Sequence, residues 1–418
     1  MTLAPMITTP VIAVLMTAGA LNGQTVAYTG ATLWDGTGAP PTSNSTIVVD
    51  DGRITAVGSN AQIPEGAEIV FLGGKYVIPG LINTHGHVSG LWAPDDVRDD
   101  ADRIRGDLLL FARYGITTVN SLGDGTDVLA VRHEEPGDEA RARLLAAGAV
   151  VAAGDPAAAR EAAIANADAG ADWLKLRVDD NLGTSRKMPW EAVQAVMDVG
   201  RERGLPVATH LFYLEDAKRL LEMGTSMVAH SVRDEPVDEE FINALRESGA
   251  CYVPTLTREV STFVYSTRPS FLDEPFFTEH AHEGQVEQVS DEGFMEAMAQ
   301  SAAAAGYRVA LVQALGNLKT LVDEGVPVAF GTDAGPAGRF PGFFEHLELS
   351  LMVGAGLTPE EALLSATGNA AACLGADDIG TLEPGNWADF LVLSEDATRD
   401  IEATRTLERV FIGGVEVP

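Results

Sequence analysis

The chain has 418 residues, 46% of them hydrophobic and 21% charged, enough to build a large α/β domain with a sizeable core. Its 61 acidic against 28 basic residues leave a net charge of -33, which repels phosphate backbones and anionic lipid surfaces. Nucleic acid is therefore excluded as a partner, and the acidic excess reads as a solvated surface.

In chain order, Val11 to Met16 followed by Ala18-Gly19-Ala20 has the apolar core and small-residue exit of a secretory signal. It is too short to span a bilayer, and no Lys or Arg precedes it, the first basic residue being Arg53. Residues 1–23 read as a signal peptide or a disordered tail; export is the favoured localisation and the cytoplasm the alternative. From Val26 to Tyr76 short alternating segments are punctuated by Gly, Pro, Asn and Asp, and Thr46 to Gly58 reads as two strands turning at Asp51-Gly52. Ala388 to Leu393 and Arg409 to Val417 repeat strand, turn, strand at the other end. Residues 24–76 plus 380–418 are expected to form one small β-sandwich, with residues 77–379 as a (β/α)8 barrel inserted between its halves.

Val77 to Ile82 is an apolar run expected to be a buried barrel strand, with Pro79 and Gly80 bending its entrance. It ends in His85 and His87, which share a face because side chains two apart on a strand point the same way. Helices are expected at Ala101 to Tyr114, Ala157 to Asp168, Trp190 to Arg203, Leu214 to Met223, Asp238 to Ser248 and Ser301 to Glu324. Between them fall strands at Ile116 to Ser121, Arg143 to Val150 and Ala250 to Pro254. Lys175, His210, His230 and Asp333 each close an apolar strand-like run, where a parallel barrel collects its chemistry.

Residues 255–300 exceed what one crossover needs and carry Phe263, Tyr265, Phe271, Phe276, Phe277, Phe294 and Met298, which suits either a wall of the mouth or a helical decoration. His280 and His282 within it are read as surface residues. Cys251 and Cys373, far apart in sequence, are expected to be buried free thiols, so metal ligands are nitrogen and oxygen.

The order His-x-His, Lys, His, His, Asp resembles the amidohydrolase superfamily, and within it the imidazolonepropionase-like and prolidase-like enzymes. Gly30 to Gly36, Gly331 to Gly335 and Gly380 to Asp389 extend the resemblance over nearly the whole chain. It implies two divalent cations, with His85, His87 and Asp333 on one, His210 and His230 on the other, and Lys175 joining them as a carbamate formed with CO2. An uncarboxylated Lys175 beside a single metal is the alternative. Zinc suits the nitrogen and oxygen donors, although manganese, iron, cobalt and nickel fit the same ligand types. A metal-bridging hydroxide would attack the carbonyl, and Asp333 would pass its proton to the departing nitrogen.

For substrate, Arg177, Arg233, Arg258 and Arg339 follow barrel strands, and one of them can clamp a carboxylate. Tyr213 is a candidate donor to the carbonyl oxygen and His346 a candidate supporting residue. The expected function is hydrolysis of a dipeptide or an N-acyl amino acid, prolidase-like or ochratoxin-amidase-like. The alternatives are a cyclic amide, an ester, a lactone or an organophosphate, and a catalytically dead scaffold is disfavoured because every ligand position is filled. The partner is a small-molecule amide with a carboxylate, homo-oligomer formation being left open. Two departures from relatives stand out: the short passage Ala149 to Asp155, which widens the pocket there, and Asn83 in place of Asp.

Overall fold

The computed structural model describes residues 25–94, 96–132, 134 and 140–418, so the signal-like segment lies outside the described residues. The chain opens with Val26–Leu33 (β1), Thr42–Asp50 (β2), Arg53–Gly58 (β3), Glu68–Phe71 (β4) and Tyr76–Pro79 (β5). β1, β2 and β3 form an antiparallel meander whose second turn places Asp51 at φ 47° and Gly52 at φ 75°, the left-handed pair that an Asp-Gly hairpin turn requires. The free edge of β1 is shared: Val26 to Thr29 pair with β4, and Thr32 and Leu33 pair with β5.

After Gly80 the barrel begins with Leu81–Gly86 (β6), and Asp100–Arg113 (α1), Ile116–Ser121 (β7), Thr126–Arg132 (α2), Arg143–Ala146 (β8) and Pro156–Asp168 (α3) follow. Its second part is Leu174–Arg177 (β9), Trp190–Arg203 (α4), Val207–His210 (β10), Leu214–Met223 (α5), Met227–Ala229 (β11), Glu239–Ser248 (α6) and Cys251–Val253 (β12). Helix ends carry the expected signals: Asp238 caps α6 through the Phe241 N–H rather than starting it, and Gly204, Gly224 and Gly249 end α4, α5 and α6 in the left-handed region.

β6, β7 and β8 pair in parallel, as do β9 to β12. Single bonds join the two groups: Val151 N–H reaches the Lys175 carbonyl and Asp172 N–H the Ala146 carbonyl, both at 2.8 Å. On the far side residues 327–333 bridge β12 and β6, with Ala329 N–H on Tyr252 O at 3.0 Å, Thr84 N–H on Phe330 O at 2.9 Å and Asp333 N–H on His85 O at 2.7 Å. The ring thus closes around the mouth.

Two strands depart from expectation. The run from Val77 to Ile82 is divided at Gly80, where β5 leaves the small sheet and β6 enters the barrel; a Cβ there would sit 2.2 Å from Thr117 Oγ1. The third barrel strand stops at Ala146, because Gly148 turns the chain at φ 67°.

The insertion is helical, comprising Leu256–Ser261 (α7), Pro275–Thr278 (α8), Glu283–Ser290 (α9) and Glu292–Ala299 (α10), and Ala302–Asp323 (α11) completes the crossover. Its Tyr265, Phe271 and Phe277 are buried against Trp92, Phe340, Phe343 and Phe344, the last two on Phe343–Gly354 (α12). Each such ring removed from water contributes about 1.5–3 kcal/mol, so the insertion is a packed layer. His280 and His282 are half-buried rather than on the surface: His280 meets the Tyr114 ring edge-on at 5.4 Å, and His282 caps α9.

Pro359–Ser365 (α13) and Gly368–Leu374 (α14) lead out of the barrel. Cys373 on α14 forms a disulfide with Cys251 at the start of β12, their Cα atoms 5.7 Å apart. This corrects the expectation of two free thiols; 122 residues separate them in sequence, but closure of the ring brings them together. Phe390–Leu393 (β13), Leu407–Ile412 (β14) and Val415–Glu416 (β15) then extend the terminal sheet, β13 pairing with β5. The sandwich expected from both termini is one continuous sheet of eight strands folded over a shared core, in which Tyr28 of β1 packs at 5.0 Å against both Phe390 and Phe411.

Candidate metal centre

The six side chains that close the barrel strands meet at one end of the ring. His87 Nε2 lies 2.8 Å and His85 Nε2 3.3 Å from Asp333 Oδ1, and Lys175 Nζ is 3.0 Å from His85 Nε2. The His230 ring stands 4.6 Å from that of His85 and 4.2 Å from that of His210. Donor atoms of His85, His230 and Asp333 all fall within 4.8 Å of one another.

The backbone is strained where it delivers these groups. His230 has φ 111°, Asp333 φ 60° and Thr255 φ 48°, conformations that side-chain-bearing residues rarely adopt and that cluster at functional sites. Close approach is bought with glycine: a Cβ on Gly331 would lie 2.9 Å from His85 Cβ, and one on Gly335 would lie 2.3 Å from the His87 carbonyl.

Burial sets the charge states. It pushes the His85 pKa down to about 3, with Lys175 adding to the effect, and holds His210 and His230 well below the ordinary range. These three imidazoles are neutral and keep a lone pair for a cation. Burial also lowers Lys175 to about 7, partly opposed by Asp333. His87 is the exception: burial would lower it, but Asp124 and Asp333 on either side raise it to about 9. Burial alone would raise Asp333, yet the Arg339 guanidinium and the two imidazoles hold it well below the carboxylate range.

Three residues that the sequence reading passed over orient the imidazoles. Asp124 lies 3.2 Å from His87 Nδ1, Asp179 lies 2.8 Å from His210 Nε2, and Thr255 Oγ1 lies 2.7 Å from His230 Nδ1. Each fixes which ring nitrogen faces the centre. Their signals were faint: Asp124 between two glycines after β7, and Asp179 in an acidic doublet just past β9. His85 Nδ1 is buried with no hydrogen-bond partner among the described residues.

The other candidates divide. Arg339 donates to Asp333 Oδ2 and so belongs to the centre. Arg177 donates to Asn181; Arg233 and Arg258 share the buried Glu259. Tyr213 donates to Asp180 at 2.8 Å and stacks under Lys187, and His346 is buried between the Tyr114 carbonyl and Thr404 on the outer side of the barrel wall. Neither bonds to any of the six.

A barrel with this set of strand-end donors defines a class, and the sequence comparison agrees with it. Residues 76–417 match the profile of the amidohydrolase family, and the chain belongs to that family of metal-dependent hydrolases. It is 27% identical over 398 residues to the imidazolonepropionase of Deinococcus radiodurans, covering 90% of this chain and 92% of that protein. Among solved structures, a Xaa-Pro dipeptidase with methionine bound in its active site superposes with a TM-score of 0.75 at 22% identity, covering 94% of this chain and 99% of that one. The A. niger ochratoxinase superposes with a TM-score of 0.74 at 19% identity, covering 95% and 96%.

The residues fit a resident metal. Three neutral imidazoles with free lone pairs, a carboxylate between His85 and His87, and a buried lysine whose Nζ lies against His85 form a donor set of nitrogen and oxygen that fits a divalent metal ion.

Proposed function

We propose that this chain hydrolyses the amide C–N bond of a dipeptide or an N-acyl amino acid. The observation that carries the reading is the convergence of His85, His87, Lys175, His210, His230 and Asp333 in one buried cluster. In it, His85, His87 and Asp333 would hold one cation and His210 and His230 a second. When bound, the ions polarise the scissile carbonyl and make hydroxide available near neutral pH.

Lys175 is the residue least at ease as an ammonium, since Nζ has three hydrogens to place and His85 as its hydrogen-bond partner. Attack of its neutral nitrogen on CO2 forms an N–C bond and releases a proton, leaving a carbamate anion that offsets the second positive ion. Asp333 takes a proton from the attacking water and delivers it to the departing nitrogen, which is too basic to leave as an anion. Asp124, Asp179 and Thr255 keep three imidazoles in register for this. Tyr213, whose hydroxyl is committed to Asp180, has no part in the step.

The fold shared with a Xaa-Pro dipeptidase and an ochratoxinase supports linear amides. The identity to an imidazolonepropionase favours a second reading, a cyclic amide opened by the same groups. The experiment is metal analysis of the purified chain followed by a panel of dipeptides, N-acyl amino acids, imidazolone propionate and lactones. Zinc retention with turnover of the linear amides is expected; turnover of the ring substrates alone would replace the first reading by the second. We also infer export, supported by the Cys251–Cys373 disulfide, which persists in oxidising compartments. Among the described residues no helix is long and apolar enough to cross a membrane.

A further inference from the structure

Of the four arginines that follow barrel strands, Arg339 is the one that donates to Asp333. Arg233 donates Nη1 to the carbonyls of Leu211 at 2.9 Å and Ser231 at 2.6 Å, with Nε 3.0 Å from Glu259 Oε1. Arg258 donates to that same oxygen at 2.9 Å and stacks 4.4 Å above the Tyr307 ring. Arg177 donates Nη2 to Asn181 and lies 3.7 Å from Asp179, with a side chain 37% exposed and no contact with Asp333 among the hydrogen bonds of the described residues.

Arg339 differs. Its Nη1 donates to Asp333 Oδ2 and, at 3.4 Å, to the Asp333 carbonyl, and its Nε donates to Ser261 Oγ at 3.0 Å, while Nη2 makes no hydrogen bond to any described residue. The side chain is 19% exposed, so solvent and ligands reach it. A guanidinium has five N–H donors in one plane; here the two on Nη2 are unspent, on a group that touches Asp333. Ser261 holds the plane in place: its hydroxyl donates to the Arg258 carbonyl at 2.7 Å while accepting from Arg339. The insertion, which α7 begins, thereby sets the angle of this arginine.

We infer that Arg339 binds the α-carboxylate of the amino acid on the leaving side of the scissile bond, which makes a free C-terminal carboxylate the specificity element of the substrate. The inference rests on the reading that Asp333 protonates the departing nitrogen. In an α-amino acid the carboxylate carbon is two bonds from that nitrogen, so a group in contact with Asp333 is within reach of it. A carboxylate on the acyl side lies across the carbonyl, away from Arg339. The two hydrogens on Nη2 are left for a substrate carboxylate, and the planar guanidinium, fixed by Ser261 and Asp333, aims them in a way that a freely rotating lysine ammonium does not.

The test uses the full metal-loaded chain and two readouts. First, kcat/KM is measured for N-acetyl-L-phenylalanine and glycyl-L-proline and for the C-terminal amide of each. The acid-to-amide ratio is expected to fall by roughly 10- to 100-fold in Arg339→Met, the loss of one charge-assisted pair, and to recover in part in Arg339→Lys. A ratio cancels losses of folded or metal-loaded protein. Second, calorimetry measures binding of free L-phenylalanine and L-proline against their amides, with the acids weakened by the same factor in Arg339→Met. An unchanged ratio in Arg339→Met, or a ratio that collapses in Arg258→Met instead, overturns the inference. If the wild type cleaves no linear amide, the proposed function fails by itself, and calorimetry still decides: no preference for acid over amide, or one that survives Arg339→Met, overturns the role of Arg339.

Discussion

Each carboxylate oxygen of Asp333 has its own task, Oδ1 facing the two imidazoles of the first barrel strand and Oδ2 facing a guanidinium. One level further out, Asp179 pins His210 through Nε2 and so leaves Nδ1 to face the centre. Asp179→Asn should weaken metal retention by roughly 10- to 100-fold, read by competition with a chelator, while the far-UV spectrum stays unchanged. That these six side chains gather at one end of the barrel was legible in the sequence because each closes an apolar run of alternating or β-branched residues, a pattern local to a few positions. Asp124, Asp179 and Thr255 were not, since their roles exist only through contacts with rings brought in from elsewhere. Tyr213 and His346 stand apart from the six: nearness in sequence to His210 and Asp333 does not bring either into contact with them, and their polar atoms are spent on Asp180 and on the Tyr114 carbonyl.

Among the elements, α12 matters for what it sends back into the barrel. Glu345 Oε1 accepts from Asn83 at 2.6 Å and from Thr332 at 2.7 Å, and Asn83 in turn accepts from the His85 N–H at 2.9 Å, so one buried carboxylate braces both β6 and the turn before Asp333. Burial raises the Glu345 pKa from 4.5 to about 7. Between those values the unfolded chain has released a proton that the folded chain retains, so this group makes stability fall as pH rises through that window. Its Oε2 has no hydrogen-bond partner among the described residues, so Glu345→Gln keeps the bonds to Oε1 and removes the titration. Relative to wild type, the variant should gain on the order of 2–3 kcal/mol between pH 5 and pH 8; denaturant melts at the two pH values giving the same difference would refute this.

Helices α4 and α5 follow the hydrophobic spacing to the residue, with terminal glycines where the period stops. The division of residues 77–82 at Gly80 was hidden because both strands are buried and apolar, leaving no change of pattern to mark the seam. The disulfide was hidden by distance along the chain. With a closed loop of this length, Cys373→Ser should cost about 2–5 kcal/mol, and thiol titration of the denatured, unreduced wild type should find no free cysteine.

For the whole molecule, a net charge of -33 spreads self-repulsion over a barrel that the ion pairs do not neutralise. Salt screens that repulsion over a Debye length of about 10 Å at 0.1 M, so the melting temperature should climb as sodium chloride is raised towards molar levels. A melting curve indifferent to salt would mean that the acidic groups already sit too far apart to repel.

Gly80 is a single-residue splice between the sheet built from both chain ends and the strand that presents His85 and His87. A chain cut after Ala388 would strip β13 from the edge of β5 and leave that splice without an anchor. Such a truncation should retain less metal in dialysis although all six side chains are still encoded, making that last strand group a remote guy-rope for the candidate metal centre.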